Sequence, residues 1–238
     1  MFMFIPTEEQ AKEYLGRLAD NSDKMIGIDA EQRWLNNHNF NKELNKVDRK
    51  GMKELMDFLK TSDFYEAPSS TRFHLSVPGG LVQHSLNVYE VMKKLLRKNE
   101  NGEYCYEVSG KVVETITEEN LIIMTLLHDV CKTFFYIPTV KWKKDGNNQW
   151  QSYMSYEIKD LNPLGHGDKS VYILNDYIKL EPCELYAIKW HMGFQNEEAK
   201  LNLQNAVEKH PIIWALHTAD MLASSVMETN SSNKEEYR

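Results

Sequence analysis

The sequence predicts an all-α fold, a bundle of helices with one small β-hairpin inserted. Three observations carry this. Apolar residues recur at helical spacing over much of the chain, as in Met52, Leu55, Met56 and Leu59. Helix-start signals precede several such runs, among them Thr7-Glu8-Glu9-Gln10, Thr117-Glu118-Glu119-Asn120, Pro182 and Pro211. Clear strand alternation is confined to Val140–Lys143 and Trp150–Tyr156, on either side of Asp145-Gly146.

Taken in order, the capping box at Thr7–Gln10 starts a helix that runs to about Asp20. The stretch from Asn21 to Phe40 is polar and mixed and reads as loop. A helix follows from about Asn45 to Lys60. Tyr65 to Gly80 holds Pro68, Pro78 and a glycine pair, so it reads as a loop that feeds a helix beginning at Leu81 and ending near Asn99–Gly102. From Thr117 a helix enters Leu121-Ile122-Ile123-Met124-Thr125-Leu126-Leu127. It is apolar on most sides and should be central and buried. After the hairpin, helices are expected at about Asp168–Lys179, Pro182–His191, Glu197–Lys209 and Pro211–Glu228. Three regions result: 1–64, a helical extension packed on the core; 65–228, the main domain; and 229–238, a polar tail.

Bulk properties narrow the function. The 238 residues carry a formal net charge of −7, which argues against a protein that coats nucleic acid. The three cysteines, Cys105, Cys131 and Cys183, are scattered and show no CxxC spacing, so a reducing cytoplasm is expected rather than a disulfide framework. The apolar N-terminus meets Pro6 at once and lacks the form of a signal peptide. No apolar run approaches a membrane span of ~18 residues, so no membrane association is expected.

The chemistry centres on His128-Asp129, two polar residues closing an apolar helix. Burying a carboxylate is costly unless it is paired or bound to a metal. Lys132 lies three residues on, so all three can share a face. Taken alone, a structural ion pair with a satisfied histidine explains them equally well. The surroundings change that balance. His84 sits at a helix start, His166 precedes a helix in Gly165-His166-Gly167, His191 ends a helix, and Asp220 lies inside an apolar helix. Imidazoles and carboxylates together suit Mn, Fe, Co, Ni or Zn better than Ca.

The order His…His-Asp…His…His…Asp resembles the HD-domain superfamily of metal-dependent phosphohydrolases. The matching stretches are Gly80–Ser85, Leu126–Lys132, Leu164–Ser170, Trp190-His191 and His217–Ala223, within roughly Ser70 to Met227. The resemblance implies an HD-type hydrolase domain over 65–228. His84, His128, Asp129 and Asp220 would hold one metal. His166 and His191 would hold a second, with Asp129 bridging. The divalent ions could be Mn, Fe, Ni, Co, Zn or Mg. The implied activity is hydrolysis of a phosphate ester by a metal-activated hydroxide, with a nucleotide or another small phosphorylated metabolite as substrate. Asp129 and Lys132 would be catalytic, Lys132 facing the phosphate. Cys131 departs from the glycine such members often carry, which is expected to leave the ligands untouched.

Arg72, in a hydroxyl-rich loop, and Lys169, in a first helical turn, are weaker candidates for substrate binding. A surface arginine and a solvated lysine explain them at least as well. His38 and His210 read as bystanders, His74 is unassigned, and His217 could support Asp220. Trp142 and Trp150 should pack the hairpin on the helices. Two alternatives use the same ligand order: an HD-type nuclease on RNA or DNA, and an HD-fold diiron oxygenase. A non-enzymatic binder of phosphorylated ligands is disfavoured by the complete ligand set. Oligomeric state cannot be read from the sequence.

Overall fold

The computed structural model describes residue 7 and residues 9–12, 28–194 and 197–228. The described residues are about 51% helix and 15% strand, with two antiparallel sheets among them. It is therefore a mixed helix-and-sheet fold, and the all-α expectation fails. The added strands form a three-stranded antiparallel sheet that precedes the apolar helix.

The capping box at Thr7 is present: its backbone N–H donates to Gln10 Oε1 at 2.9 Å, and Gln10 N–H donates back to Thr7 Oγ1. The predicted continuation to Asp20 lies outside the described residues past residue 12. Much of the expected loop from Asn21 to Phe40 is instead helix α1 (Ala30–Leu44). Asp29 caps it by accepting from Gln32 N at 2.8 Å. Its buried stripe is Asn36, Phe40 and Leu44, one residue per turn. The stripe begins with an amide that bonds to Gln83, so the apolar period is too weak to read. Helix α2 (Met52–Thr61) starts later than expected, after Gly51, whose φ of +92° places it in the left-handed region that glycine tolerates. Helix α3 (Gly80–Leu95) follows the expected loop and ends a turn earlier than expected.

Next come β1 (Arg97–Lys98), β2 (Tyr104–Val108) and β3 (Lys111–Ile116), an antiparallel sheet in that order. Ser109 and Gly110 form the β2–β3 turn, both at positive φ. That is the two-residue geometry suited to the twist of a hairpin. Helix α4 (Glu118–Leu127) is capped by Thr117 and Asn120, and every residue from Asn120 to Leu127 is buried. A 3₁₀ turn (Val130–Lys132) carries the chain into β4 (Tyr136–Lys144), which pairs in register with β5 (Trp150–Ile158). The hairpin is where the sequence placed it. Its outer half is exposed, however. Trp142 is 62% and Trp150 63% accessible, so neither packs it on the helices. The inner residues Tyr136 and Tyr156 cluster with Phe135, whose ring meets that of His166.

Helices α5 (His166–Asn175), α6 (Pro182–Trp190), α7 (Glu197–Lys209) and α8 (Ile212–Leu222) complete the chain, followed by a π-helical turn (Ala223–Met227). Pro182 takes the first helical position, as expected, whereas Pro211 caps α8 from outside. One apolar core runs from Phe40 in α1 to Ala223. Helix α3 packs against α4, α8 and α1, and α6 packs against α8 and α5. Arg49 ties this assembly together, with two nitrogens each 2.7 Å from buried Glu184. No helix among the described residues is long and apolar enough to cross a membrane.

Candidate metal centre

The ends of four helices meet at one buried point. His128 and Asp129 come from the end of α4, His191 from the end of α6, His84 from the second turn of α3, and Asp220 from the last turn of α8. His128 and His191 are fully buried, His84 is 1% exposed, and Asp129 and Asp220 are nearly as enclosed. His84 Nε2 lies 3.2 Å from Asp220 Oδ1 and 3.6 Å from Asp129 Oδ2. His128 Nε2 lies 3.4 Å from Asp129 Oδ2, and His191 Nε2 3.6 Å from Asp129 Oδ1. Metal–ligand bonds near 2.1 Å give neighbouring donors a separation of about 3.0–3.4 Å. The separations of 3.2–3.6 Å lie at or just above that range, so these residues could hold a metal.

The far side of each ring decides what the near side offers. His128 Nδ1 donates to Thr125 O at 2.8 Å, and His191 Nδ1 to Ile188 O at 2.6 Å, each three residues back in its own helix. His84 Nδ1 faces the Glu228 carboxylate, 3.1 Å from each oxygen. A ring that donates from Nδ1 and is neutral carries its lone pair on Nε2. All three Nε2 atoms are buried and none has a hydrogen-bond partner. Buried polar atoms are seldom left so. Three imidazole nitrogens and two carboxylates thus converge at one point, an arrangement that could hold a cation.

The electrostatics agree. Burial disfavours the charged form of His84, yet Asp220 and Glu228 more than offset it and raise its pKa to about 9. His191 is shifted upward against burial by Asp129. Burial pushes the Asp129 carboxyl up, but Lys132 and His128 hold it well below the usual carboxylate range. Asp220 is held low by His84 in the same way. The centre stabilises positive charge, whether proton or metal.

Lys132 and His166 frame this centre. Lys132 Nζ lies 2.6 Å from Asp129 Oδ2, with its side chain 10% exposed. His166, first residue of α5, joins Asp129 and Cys131 in a group whose ligand atoms all lie within 4.8 Å of one another. Burial lowers its pKa, which favours the neutral, ligating form. Cys131 Sγ is 3.4 Å from His166 Nδ1, so Cys131 does touch an expected ligand. Gly167 lets α5 approach α6: a Cβ there would stand 2.0 Å from Lys189 O.

Other candidates lie elsewhere. Lys169 is buried rather than solvated, with Nζ 2.6 Å from Asp160 Oδ1 and 5.0 Å from the Phe135 ring centre. That pairing offsets the charge it was expected to offer a phosphate. Arg72 is exposed and stacks on Phe73. His217 Nδ1 donates to His191 O, 2.6 Å away, and so supports His191 and not Asp220.

Sequence reasoning missed Glu228. Its carboxylate also lies 2.7 Å from His74 Nδ1 and accepts from Asn87 Nδ2 at 2.9 Å. Burial raises its pKa, but His74 and His84 win and bring it to about 2. Family models, curated proteins and solved structures were compared with the chain, and none of the three gives a match.

Proposed function

We propose that this protein is a metal-dependent phosphohydrolase of the HD type, acting on a nucleotide or another small phosphorylated metabolite. One observation carries the proposal: three buried imidazole nitrogens without partners converge on two carboxylates. His84, His128, Asp129 and Asp220 would hold one divalent ion. His166, His191 and Asp129 would hold a second. Bound there, such ions lower the pKa of water and neutralise phosphoryl oxygens.

The chain's own groups supply the rest. Asp129 can bridge, since its two oxygens face different histidines, Oδ2 towards His84 and His128 and Oδ1 towards His191. Lys132 stays protonated because Asp129 raises its pKa against the effect of burial. It is an ammonium donor for a phosphoryl or leaving-group oxygen. Burial of the rings excludes bulk water from their Nδ1 bonds, which fixes their orientation.

The test is metal content by elemental analysis, then hydrolysis of phosphomonoesters, cyclic nucleotides, nucleoside triphosphates and short oligonucleotides with Mn, Ni, Co or Mg. At least one ester should be hydrolysed, and Asp129→Ala should abolish it. Full activity in Asp129→Ala would sink the proposal. Iron with oxygen-dependent turnover and no hydrolysis would favour the oxygenase.

The nuclease reading draws support from the exposed arm. Lys144 Nζ sits 5.5 Å from the Trp150 ring centre and Lys143 Nζ 5.5 Å from that of Tyr153, a pairing of cations and rings that suits single strands. Cleavage of oligonucleotides but no mononucleotide would select it.

A further inference from the structure

Helices α6 and α7 do not close on one another. The face of α7 towards α6 follows helical spacing through Ala199, Asn202, Ala206 and Lys209. Methyl groups and a carboxamide stand where a packed interface would carry Leu or Ile. Leu203 and Ala206 anchor α7 to the core instead. The result is a cleft of about 600 Å³, walled on the α6 side by Tyr186, Lys189 and Trp190. One end is the start of α5, where His166 lines the cleft. His166 is also within ligand range of Asp129. The cleft therefore adjoins the candidate metal centre, with the His166 ring shared between them.

Its chemistry is selective. Lys189 is paired with Asp168, and the two charges offset each other. Lys209 leaves an excess of positive charge, in a chain of net charge −7. Asn202 and Asn205 each present one donor edge and one acceptor, the complement of a base edge. Tyr186 and Trp190 supply ring surface on the opposite wall. The volume falls among pockets that enclose ligands of several rings, well beyond what phosphate alone needs.

We infer that this cleft seats the base of a nucleoside monophosphate, with the phosphate ester at the His166 end. This rests on the phosphohydrolase proposal for turnover, though not for binding. Asn202 and Asn205 are then specificity residues and touch no metal.

The experiment compares adenosine, guanosine, cytidine and uridine monophosphates with glycerol 2-phosphate, which carries the ester without a base. At least one nucleotide should show a KM about tenfold or more below that of glycerol 2-phosphate, as expected for two or more added hydrogen bonds. Asn202→Trp fills the cleft from an exposed position, and Asn205→Ala removes one amide. Both should raise the nucleotide KM and leave glycerol 2-phosphate kinetics and metal content unchanged. Nucleotide KM values equal to that of glycerol 2-phosphate, or unaltered in Asn202→Trp, overturn the inference and leave the hydrolase proposal standing. If none of these five esters is hydrolysed, the cleft is judged by titrating the metal-free protein with the same four nucleotides. Saturable quenching of tryptophan fluorescence, lost in Asn205→Ala, supports the cleft; no quenching overturns it.

Discussion

Glu228→Gln keeps the shape of the side chain and removes its charge. In the wild-type chain three nitrogens share the two carboxylate oxygens: His84 Nδ1 at 3.1 Å, His74 Nδ1 at 2.7 Å and Asn87 Nδ2 at 2.9 Å. A carboxamide offers one oxygen, and its NH₂ would face a donor. At least one of the three loses its acceptor. His84 depends on this contact most, because its Nδ1 has no helical carbonyl of the kind that serves His128 and His191. Losing the carboxylate behind a metal-binding histidine weakens the metal by about 10–100-fold, or about 1.4–2.7 kcal/mol. The assay is competition between metal-free protein and a chromophoric chelator for cobalt or zinc. The cobalt visible spectrum reports separately on coordination geometry. Urea unfolding in chelator checks that the variant folds. Affinity within about twofold of wild type, with folding intact, would refute the reasoning.

Four further outcomes follow from the geometry. Asp129→Asn should lower the stability of the metal-free protein by about 3–5 kcal/mol in urea, because it strands Lys132 in a buried site without its counter-charge. Gly167→Ala should push α5 off α6, reduce metal content from two ions per chain to one by elemental analysis, and destabilise by about 1–3 kcal/mol; two retained ions would show that His166 does not need that approach. Ile123→Ala, at a fully buried position of α4, should cost about 2–5 kcal/mol in chemical denaturation. The double change of Trp142 and Trp150 to Ala should alter stability by no more than about 0.5 kcal/mol each, because both rings are mostly exposed.

The residues of the centre were legible because each breaks a local pattern. His128-Asp129 ends a run that is apolar but for Thr125, and Asp220 interrupts another apolar helix. A buried charge in such a run needs a reason, and the reason is visible before any geometry. Glu228 offered no such contrast. It stands beside Thr229 and Asn230 among polar residues, and it reaches His84 only because the π-helical turn swings it inward, through a bond from its N–H to Ala223 O. Nothing local announces that extra residue per turn. Lys169 was misplaced for a related reason: its partner, Asp160, lies in the connection before α5, where a carboxylate looks solvated.

The fold was legible where one face is wholly apolar, as in α4, and illegible where polar residues do the packing. Helix α1 buries Asn36 and satisfies it with Gln83 across the interface, which a hydrophobic period cannot register. The β2–β3 hairpin is a different case. Its Ser-Gly turn and the strands Tyr104–Val108 and Lys111–Ile116 were open to the rule that found the other hairpin. They were passed over because exposed Val108, Val112 and Val113 blur the alternation.

The contact between Glu228 and His84 also has a meaning in time. The two residues are 144 positions apart. At ribosomal rates of about 5–20 residues per second, the chain waits roughly 10–30 s between making the ring and making the group that orients it. During that interval His84 has no carboxylate behind it, and Asp220 is added only near its end. A growing chain would therefore hold metal weakly, and firm capture would come only as its last helix and turn dock. If the proposed ion binds, its loading would report that synthesis has passed Glu228 and that α8 and the turn after it have docked.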